Sequence, residues 1–293
     1  MRLATVTPGG AGSEEVVPLG TEVVPVRLTL RSRTVARRCA EVVEDGRGRA
    51  RRAPWGALAA AGAVAVLAGA RRARTLGATP DEARAVLPGD ALLPAADLVT
   101  TRATTVHAPA DALWPWLVQL GWDRAGWYAI DAVEAAAGVA RYRDGRGGVG
   151  WRSADVLVPD LQDLAVGDPV PLSDRLAFTV VELAPPGRGA GDGTDDGTDA
   201  HLVLEVAAGA AGPTRPDTWW SFAWVWAFVL RPGPTPDTTR LLVRTRVALR
   251  PRWLAPLALD VLLDPGHAVM EAAQLVNLRR RAERARLPHL DPT

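Results

Sequence analysis

The sequence DLVTTRATTVHAPADALWPWLVQLGWDRAGWY, residues Asp97–Tyr128, changes its hydrophobic period halfway along. Leu98–His107 is rich in Thr and Val and contains no Gly or Pro, which indicates an exposed or half-buried β-strand. After Pro109 the apolar side chains recur at helical spacing, at Leu113, Trp116, Leu117 and Leu120. Gly121 is the expected end of this helix. The stretch therefore predicts a strand that turns sharply into an amphipathic helix.

A second short helix is predicted from Trp127 to Ala137. Its apolar side chains share one face, at Ile130, Val133 and Ala137. Asp131 and Glu134 lie off that face, three residues apart, where they could act as paired carboxylates. A solvated helix face is the commoner explanation of such a pair.

The pattern from Thr105 to Gly121 resembles the opening of the SRPBCC superfamily, whose relatives include Bet v 1-like, START and polyketide cyclase-like proteins. The resemblance is to members of the actinobacterial type. It continues through Arg124, Gly126, Trp127 and Tyr128, through LQDLAVGDPV at Leu161–Val170, and into the last helix at His267–Arg281. It thus covers roughly two thirds of the chain and is specific for fold rather than function.

The resemblance implies an α+β helix-grip fold. In this fold a curved antiparallel sheet wraps around a long C-terminal helix, two short helices follow the first strand, and an apolar ligand cavity lies between sheet and helix.

Four further runs of β-branched and aromatic residues predict strands without recourse to the resemblance: Leu176–Leu183, His201–Val206, Trp219–Leu230 and Thr239–Leu249. Pro, Gly and Asp clusters separate them, as in hairpins. In the last run, arginines alternate with apolar residues at Arg240, Arg244, Arg246 and Arg250. This alternation predicts an antiparallel sheet with one wet face and one dry face.

The third of these runs carries five aromatic residues on one face: Trp220, Phe222, Trp224, Trp226 and Phe228. At about 150 to 250 Å² each and about 25 cal/mol per Å², their burial is worth on the order of 20 to 30 kcal/mol of gross transfer free energy. They are therefore expected on a buried concave wall. Ala223, Val225, Ala227 and Val229 form an apolar stripe on the opposite face.

The C-terminal segment is predicted to form two helices. Trp253–Leu263 is apolar, Pro265 and Gly266 should interrupt it, and a longer helix should run from His267 to about Leu287 with Met270 on its inner face. The basic side chains beyond Asn277 suit the negative end of a helix. Because they are not interleaved with aromatics and the net charge is +1, no nucleic-acid partner is expected.

Composition indicates one sizeable domain with extensions. The 293 residues are 48% hydrophobic, include no lysine, and include a single cysteine, Cys39, which excludes an intramolecular disulfide. The segments expected are a low-order region at 1–53, a candidate short membrane helix at 54–71, a linker at 72–96, an SRPBCC-like domain at 97–287 and a tail at 288–293.

The apolar run 55–70 has arginines on both sides and no internal charge. At 1.5 Å per residue its sixteen residues would span about 24 Å, short of a hydrocarbon core of about 30 Å. Three interpretations stay open: a short membrane anchor, the apolar part of a signal peptide, and a buried helix. The anchor predicts a membrane-associated protein; without it a cytoplasmic location is expected.

No catalytic signature is present. The four histidines are scattered and no serine has a nucleophile-elbow context, so neither a metal site, a cofactor nor hydrolase chemistry is expected. If the cavity supports chemistry, the candidate catalytic residues are Tyr128, Asp131 and His267. The candidate ligand-binding residues are Trp116, Trp127, Trp220, Phe222, Trp224, Trp226, Phe228 and Met270.

The leading functional hypothesis is the binding of a hydrophobic small molecule or lipid in the cavity. One alternative is a cyclase- or aromatase-like enzyme that uses the same cavity. The other is a membrane-held interaction module that presents the Ala223–Val229 stripe to a partner. The sequence does not indicate the oligomeric state.

Overall fold

The computed structural model describes residue 69 and residues 71–187, 199–206 and 220–286, with side chains as far as residue 284. The chain divides into two units, 1–58 and 59–293, and all the described residues lie in the second. The expected low-order region 1–53, the run 55–70 apart from Gly69, and the tail 288–293 lie outside them. Among the described residues, no helix is both long enough and apolar enough to cross a bilayer.

The fold is α+β, with a curved antiparallel sheet of six strands and a long C-terminal helix, as predicted. The strands are β1 (Leu98–Val106), β2 (Tyr142–Arg143), β3 (Val149–Gly150), β4 (Pro169–Pro171), β5 (Ala177–Ala184), β6 (Ala200–Val206), β7 (Ser221–Pro232) and β8 (Thr239–Arg250). The six-stranded sheet has the order β1-β8-β7-β6-β5-β4, and β2 and β3 form a separate hairpin.

The helices are α1 (Pro80–Arg84), α2 (Ala110–Val118), α3 (Asp131–Ala136) and α4 (Asp264–Arg286). Helix α2 ends before the expected stop at Gly121, whose φ of 129° belongs to a tight bridge with Gly126. Helix α3 begins at Asp131 rather than at Trp127. The reason is Tyr128, whose φ of 57° is left-handed and cannot be part of a right-handed helix.

The predicted interruption at Pro265 and Gly266 is wrong. A π-helical segment, Pro256–Leu263, leads directly into α4, which contains both residues. Hydrogen bonds in π turns join residues five apart, and the wider turn gives room for the proline ring that an α-helical turn lacks. The C-terminal segment is therefore one continuous helical rod.

The inner face of the sheet forms the main core against α2 and α4. Trp224, Trp226 and Phe228 of β7 pack there with Leu113 and Leu117 of α2, and with Leu275 and Leu278 of α4. In the register, Trp226 lies between Leu204 of β6 and Thr245 of β8. The aromatic face of β7 is thus turned inward.

Most of the arginine face of β8 is not wet, contrary to the prediction; Arg250, at the end of the strand, is exposed. Arg244 is 3% exposed and its Nη1 lies 2.9 Å from Asp90 Oδ2, while Arg246 Nη1 lies 3.2 Å from Asp90 Oδ1. Arg240 Nε lies 2.7 Å from Glu82 Oε1. A local alternation of charged and apolar residues cannot reveal carboxylates supplied by a distant segment, and such carboxylates cover this face.

The segment 72–96, expected as a linker, packs on this outer face. Leu87 forms a second apolar cluster with Val225, Ala227 and Val229, against which Ala78, Ala85 and Leu93 also pack. The Ala223–Val229 stripe is therefore buried within the chain. It is not a surface for a partner, and the interaction-module alternative loses the feature on which it rested.

Candidate ligand cavity

A cavity of about 330 Å³ lies between the inner face of the sheet, α4 and the region around α3. Its volume is at the lower end of the range of small-molecule sites. The lining side chains are Trp127, Ala129, Glu134, Val139, Leu172, Ser173, Trp224, Trp226, His267, Met270, Glu271 and Gln274. Most of the wall is apolar or aromatic, and four carboxyl, imidazole or amide groups interrupt it.

Of the predicted ligand-binding residues, Trp127, Trp224, Trp226 and Met270 line the cavity. Trp127 stacks on Trp226 with ring centroids 5.3 Å apart and 22° between the planes. Trp224 meets Phe178 edge-on at 5.3 Å. Rings in contact on several sides have little freedom to move, so this wall is held in shape before any ligand arrives.

The other four predicted residues do not line the cavity. Trp116 packs edge-on against Tyr128 at 6.0 Å, and Phe228 is fully buried behind Trp226. Trp220, which lies just before β7, is 40% exposed, and its ring stacks on that of Phe222 with the centroids 6.1 Å apart. The alternation of β7 identified the inner face correctly, but it could not show which part of that face borders the cavity.

A buried cluster of charges lies beside the cavity. Arg102 of β1 is 0% exposed, and its guanidinium contacts Asp264 Oδ1 at 2.9 Å and Glu271 Oε2 at 2.5 Å. Arg74 Nε contacts Asp264 Oδ2 at 2.7 Å. Glu271 Oε1 also accepts from Trp226 Nε1 at 3.0 Å. The cluster joins β1, β7 and α4 through paired charges, as buried charges require.

His267 is the candidate catalytic residue that lines the cavity. Its imidazole meets Trp224 and Trp226 edge-on at 5.5 and 5.6 Å, and its Nδ1 lies 3.4 Å from Arg102 Nη1. Burial lowers the pKa of His267, and the nearby carboxylate of Glu271 opposes that shift. A neutral imidazole results, one turn before Glu271 on the same helix.

Tyr128 and Asp131 lie apart from the cavity wall. The Tyr128 hydroxyl accepts a hydrogen bond from Gln119 Nε2 at 2.5 Å, and burial raises its pKa. Asp131 accepts from the backbone N–H and the hydroxyl of Ser153, at 3.0 and 2.6 Å. Both side chains hold the loop before α3 in place, and the structure does not bring them together with His267.

Glu134 lines the cavity although sequence reasoning assigned it no role there. It is 7% exposed, and its Oε2 accepts from the Tyr142 hydroxyl at 2.8 Å. Burial raises the pKa of Glu134 to about 7. The predicted acidic pair with Asp131 is thus split, with one carboxylate bound to Ser153 and the other at the cavity.

Several buried polar atoms of the lining residues have no hydrogen-bond partner among the described residues: Trp127 Nε1, Trp224 Nε1, His267 Nε2 and Gln274 Oε1. Gln274 is 1% exposed and its Nε2 donates to the Trp127 carbonyl at 2.9 Å, so its amide oxygen is the free end. Buried polar atoms are usually paired, and leaving one unpaired costs about 1 to 3 kcal/mol.

Sequence reasoning also missed Arg102, Glu271 and Gln274. The spacing of four residues between His267 and Glu271 was a usable signal, because such residues share a helix face. Nothing local distinguishes Arg102 from the other arginines. Within the described part of the chain, no group of three or more His, Cys, Asp or Glu side chains could hold a metal ion.

No protein-family model matches the chain. No curated protein matches it. Solved structures with some similarity include a hypothetical protein from Helicobacter pylori, at 11% identity and a TM-score of 0.37, covering 67% of this chain and 95% of that one. A protein from Mesorhizobium loti has 16% identity and a TM-score of 0.33, covering 65% and 100%.

Norcoclaurine synthase from Thalictrum flavum is similar at 10% identity and a TM-score of 0.21, covering 62% of this chain and 86% of that one. All of these TM-scores are below 0.5, so the similarities do not establish a shared fold.

Proposed function

We propose that this protein is a helix-grip domain of the SRPBCC type that binds a small, largely hydrophobic molecule between its sheet and α4. The observation that carries the proposal is the cavity of about 330 Å³ with its wall of Trp127, Trp224 and Trp226. Burial of ligand surface against these rings supplies the affinity, and the few polar groups orient the ligand.

The cavity size limits the ligand. At about 30 Å³ for each water in the liquid, 330 Å³ corresponds to roughly eleven water molecules. A compound with one or two rings fits this space, whereas a two-chain lipid needs far more. Of the two ligand classes expected from the sequence, the structure therefore favours the small molecule.

The test is to fill the cavity from its wall. Ala129 is 9% exposed and lines the cavity, so Ala129→Leu places three additional carbon atoms there. In a calorimetric titration with 1-naphthalenemethanol, Ala129→Leu should bind about tenfold or more weakly than the wild type. Ala136→Leu, at an exposed position of α3, is the matched control and should bind as the wild type does.

Equal binding by Ala129→Leu and the wild type would contradict the proposed site. Native mass spectrometry of the purified wild-type protein would independently measure the mass of any ligand that co-purifies with it.

A second candidate is an enzyme of the cyclase or aromatase type. His267 favours it, because the neutral imidazole faces the Arg102 guanidinium with Nδ1 and therefore carries its proton on Nε2, from which it can donate to a bound substrate. His267→Ala separates the two functions. If the protein only binds its ligand, His267→Ala keeps the affinity within a few-fold and there is no turnover to lose. If the protein is an enzyme, His267→Ala still binds the substrate but loses turnover.

A further inference from the structure

The ionisable side chains that line the cavity are two glutamates and a histidine, Glu134, Glu271 and His267. Among the described residues, no arginine is part of the lining, and the chain contains no lysine. The cavity wall therefore offers a ligand negative charge and no cationic side chain. A wall with this charge favours a cationic ligand over an anionic one.

The two glutamates differ in how their charge is offset. Glu271 is paired with Arg102 and accepts hydrogen bonds from Trp226 Nε1 at 3.0 Å and from Thr245 Oγ1 at 3.4 Å. Glu134 accepts from the neutral Tyr142 hydroxyl, and no guanidinium in the described residues forms an ion pair with it. Glu134 is therefore the carboxyl that a ligand cation can neutralise.

The rest of the wall suits a cation as well. Trp127, Trp224 and Trp226 present indole rings, the aromatic groups that attract cations most strongly. The amide oxygen of Gln274 is a buried acceptor without a partner in the described residues. The indole N–H groups of Trp127 and Trp224 are buried donors that also have no partner in the described residues, and they can bind an acceptor on the ligand.

We propose that the cavity selects a protonated amine carried on a one- or two-ring apolar body, with Glu134 as its counter-ion. The inference rests on the proposed binding function and specifies the class of ligand. It also disfavours fatty acids and other organic anions, since their carboxylate would lie beside two glutamates without a partner.

Burial has already moved Glu134 towards this role. Its pKa is about 7, so at neutral pH the carboxyl changes its charge at little cost when a cation arrives. The charged and titratable groups around it are Asp131 on α3, Tyr142 on β2, and His267 and Glu271 on α4, across the cavity. None of them is cationic while His267 is neutral.

The experiment compares three probes with one apolar body: 1-naphthylmethylamine, 1-naphthalenemethanol and 1-naphthoate. Calorimetric titration of the full-length protein at about pH 7.5 should show the amine binding about tenfold or more tighter than the alcohol, and the anion binding most weakly. Amine affinity should rise between about pH 6 and about pH 8, as Glu134 loses its proton, while alcohol affinity should stay constant.

The variant Glu134→Gln keeps an acceptor for the Tyr142 hydroxyl and removes the charge. It should abolish the preference for the amine and leave alcohol binding within about threefold. Asp81→Asn, which removes a carboxylate that is 97% exposed, is the matched control and should retain the preference.

Each outcome is decisive. Equal affinity for amine and alcohol, or a preference that survives in Glu134→Gln, overturns the cationic ligand and leaves the binding function in place. Failure of all three probes to bind the wild type contradicts both proposals. Binding of the alcohol that Ala129→Leu weakens, with no gain for the amine, supports the cavity and overturns only the cationic ligand.

Discussion

At the scale of single residues, Arg102 links more of the molecule than any side chain at the cavity wall. Besides Asp264 and Glu271, its guanidinium binds the carbonyl of Ala73 at 2.8 Å and contacts Thr100 Oγ1 at 3.3 Å. Its donors are thus distributed over the segment before β1, β1 itself and α4. A planar guanidinium with five N–H groups is suited to such branching, which an ammonium group is not.

Removal of this arginine should destabilise the protein strongly. Arg102→Met leaves the Glu271 side chain, 0% exposed, without its guanidinium partner, and leaves Asp264, 1% exposed, with Arg74 alone. We expect a loss of about 3 to 5 kcal/mol in the free energy of unfolding, measured by denaturant titration. Arg84→Met is the matched control, because its pair with Asp81 is exposed, and it should change stability by less than about 0.5 kcal/mol. Similar losses in both variants would show that the buried cluster does not contribute as argued.

Glu134 should make the stability depend on pH in a direction opposite to that of most carboxylates. Its pKa of about 7 in the folded protein is above the value of 4.5 for a free carboxyl, so the folded state keeps the proton longer. Its contribution is fully present below about pH 4.5 and is lost as the pH rises through about 7. Relative to the wild type, Glu134→Gln should gain on the order of 2 kcal/mol across that range.

Urea titrations of both proteins from about pH 4.5 to about pH 8 measure this difference. Asp81→Asn, which removes an exposed carboxylate, should follow the wild-type curve. Parallel curves for Glu134→Gln and the wild type would mean that this carboxyl is not held protonated by the fold.

At the scale of elements, the chain before β1 covers the β1 edge of the sheet. The N–H groups of Thr101 and Ala103 donate to the carbonyls of Arg74 and Leu76, at 2.7 and 3.0 Å. An unpaired edge strand is a site for unwanted association, and this segment covers it. The same segment continues into α1 and then over the outer face of β7 and β8, so edge and face are covered by one piece of chain.

Gly77 makes this close approach feasible. A Cβ at this position would be far closer to the Ala103 carbonyl oxygen than van der Waals contact allows. In addition, the φ of Gly77 is 74°, which is a left-handed conformation that favours glycine. Gly77→Ala should therefore destabilise the protein by about 2 kcal/mol or more, through both clash and backbone strain. Gly138→Ala has nearly the same φ, 73°, with nothing within 4 Å, and should cost about 1 kcal/mol from strain alone.

Thermal unfolding of the two glycine variants measures how much destabilisation the clash adds to that of the backbone strain. Amide hydrogen exchange at Thr101 and Ala103 should increase in Gly77→Ala and not in Gly138→Ala. Equal effects of the two substitutions would show that the segment does not press on β1.

The strands and the long helix could be predicted because their signals are local. Alternation in β7 and β8 and helical spacing in α2 come from short-range periodicity, and the observed ends lie within one or two residues of the predicted strand ends. The π-helical segment and the left-handed Tyr128 could not be predicted, because both depend on what packs around them. A single sequence does not show that Pro265 has room inside a helix.

At the scale of the whole molecule, the sheet is covered on both faces. The inner face packs on α2 and α4 and borders the cavity, while the outer face is covered by residues 78–93. Arg240, Arg244 and Arg246 of β8 are part of this second layer, where each is paired with Asp90 or Glu82. The interaction-module alternative fails at this scale, because the stripe it required is internal.

The candidate site is a tertiary feature. Its aromatic side chains come from β7 and from the loop before α3, and its acids come from α3 and α4, so residues as far apart in the chain as Trp127 and Glu271 meet at one wall. The sequence indicated that Trp127, Trp224, Trp226, His267 and Met270 were candidates, since large aromatic and polar groups on inner faces are limited in number. It could not separate them from Trp116, Trp220, Phe222 and Phe228, which have the same character and lie elsewhere.

The sequence by itself determined the class of fold, the inward direction of the aromatic face of β7 and the long terminal helix, because the periodicity of a segment fixes which of its side chains share a face. Only the tertiary structure decided that Glu134 is at the cavity, that Arg102 is fully buried between two acids, and that the supposed linker is a layer of the protein. These facts depend on distances between residues far apart in the chain, and such distances are set by packing and charge pairing in three dimensions.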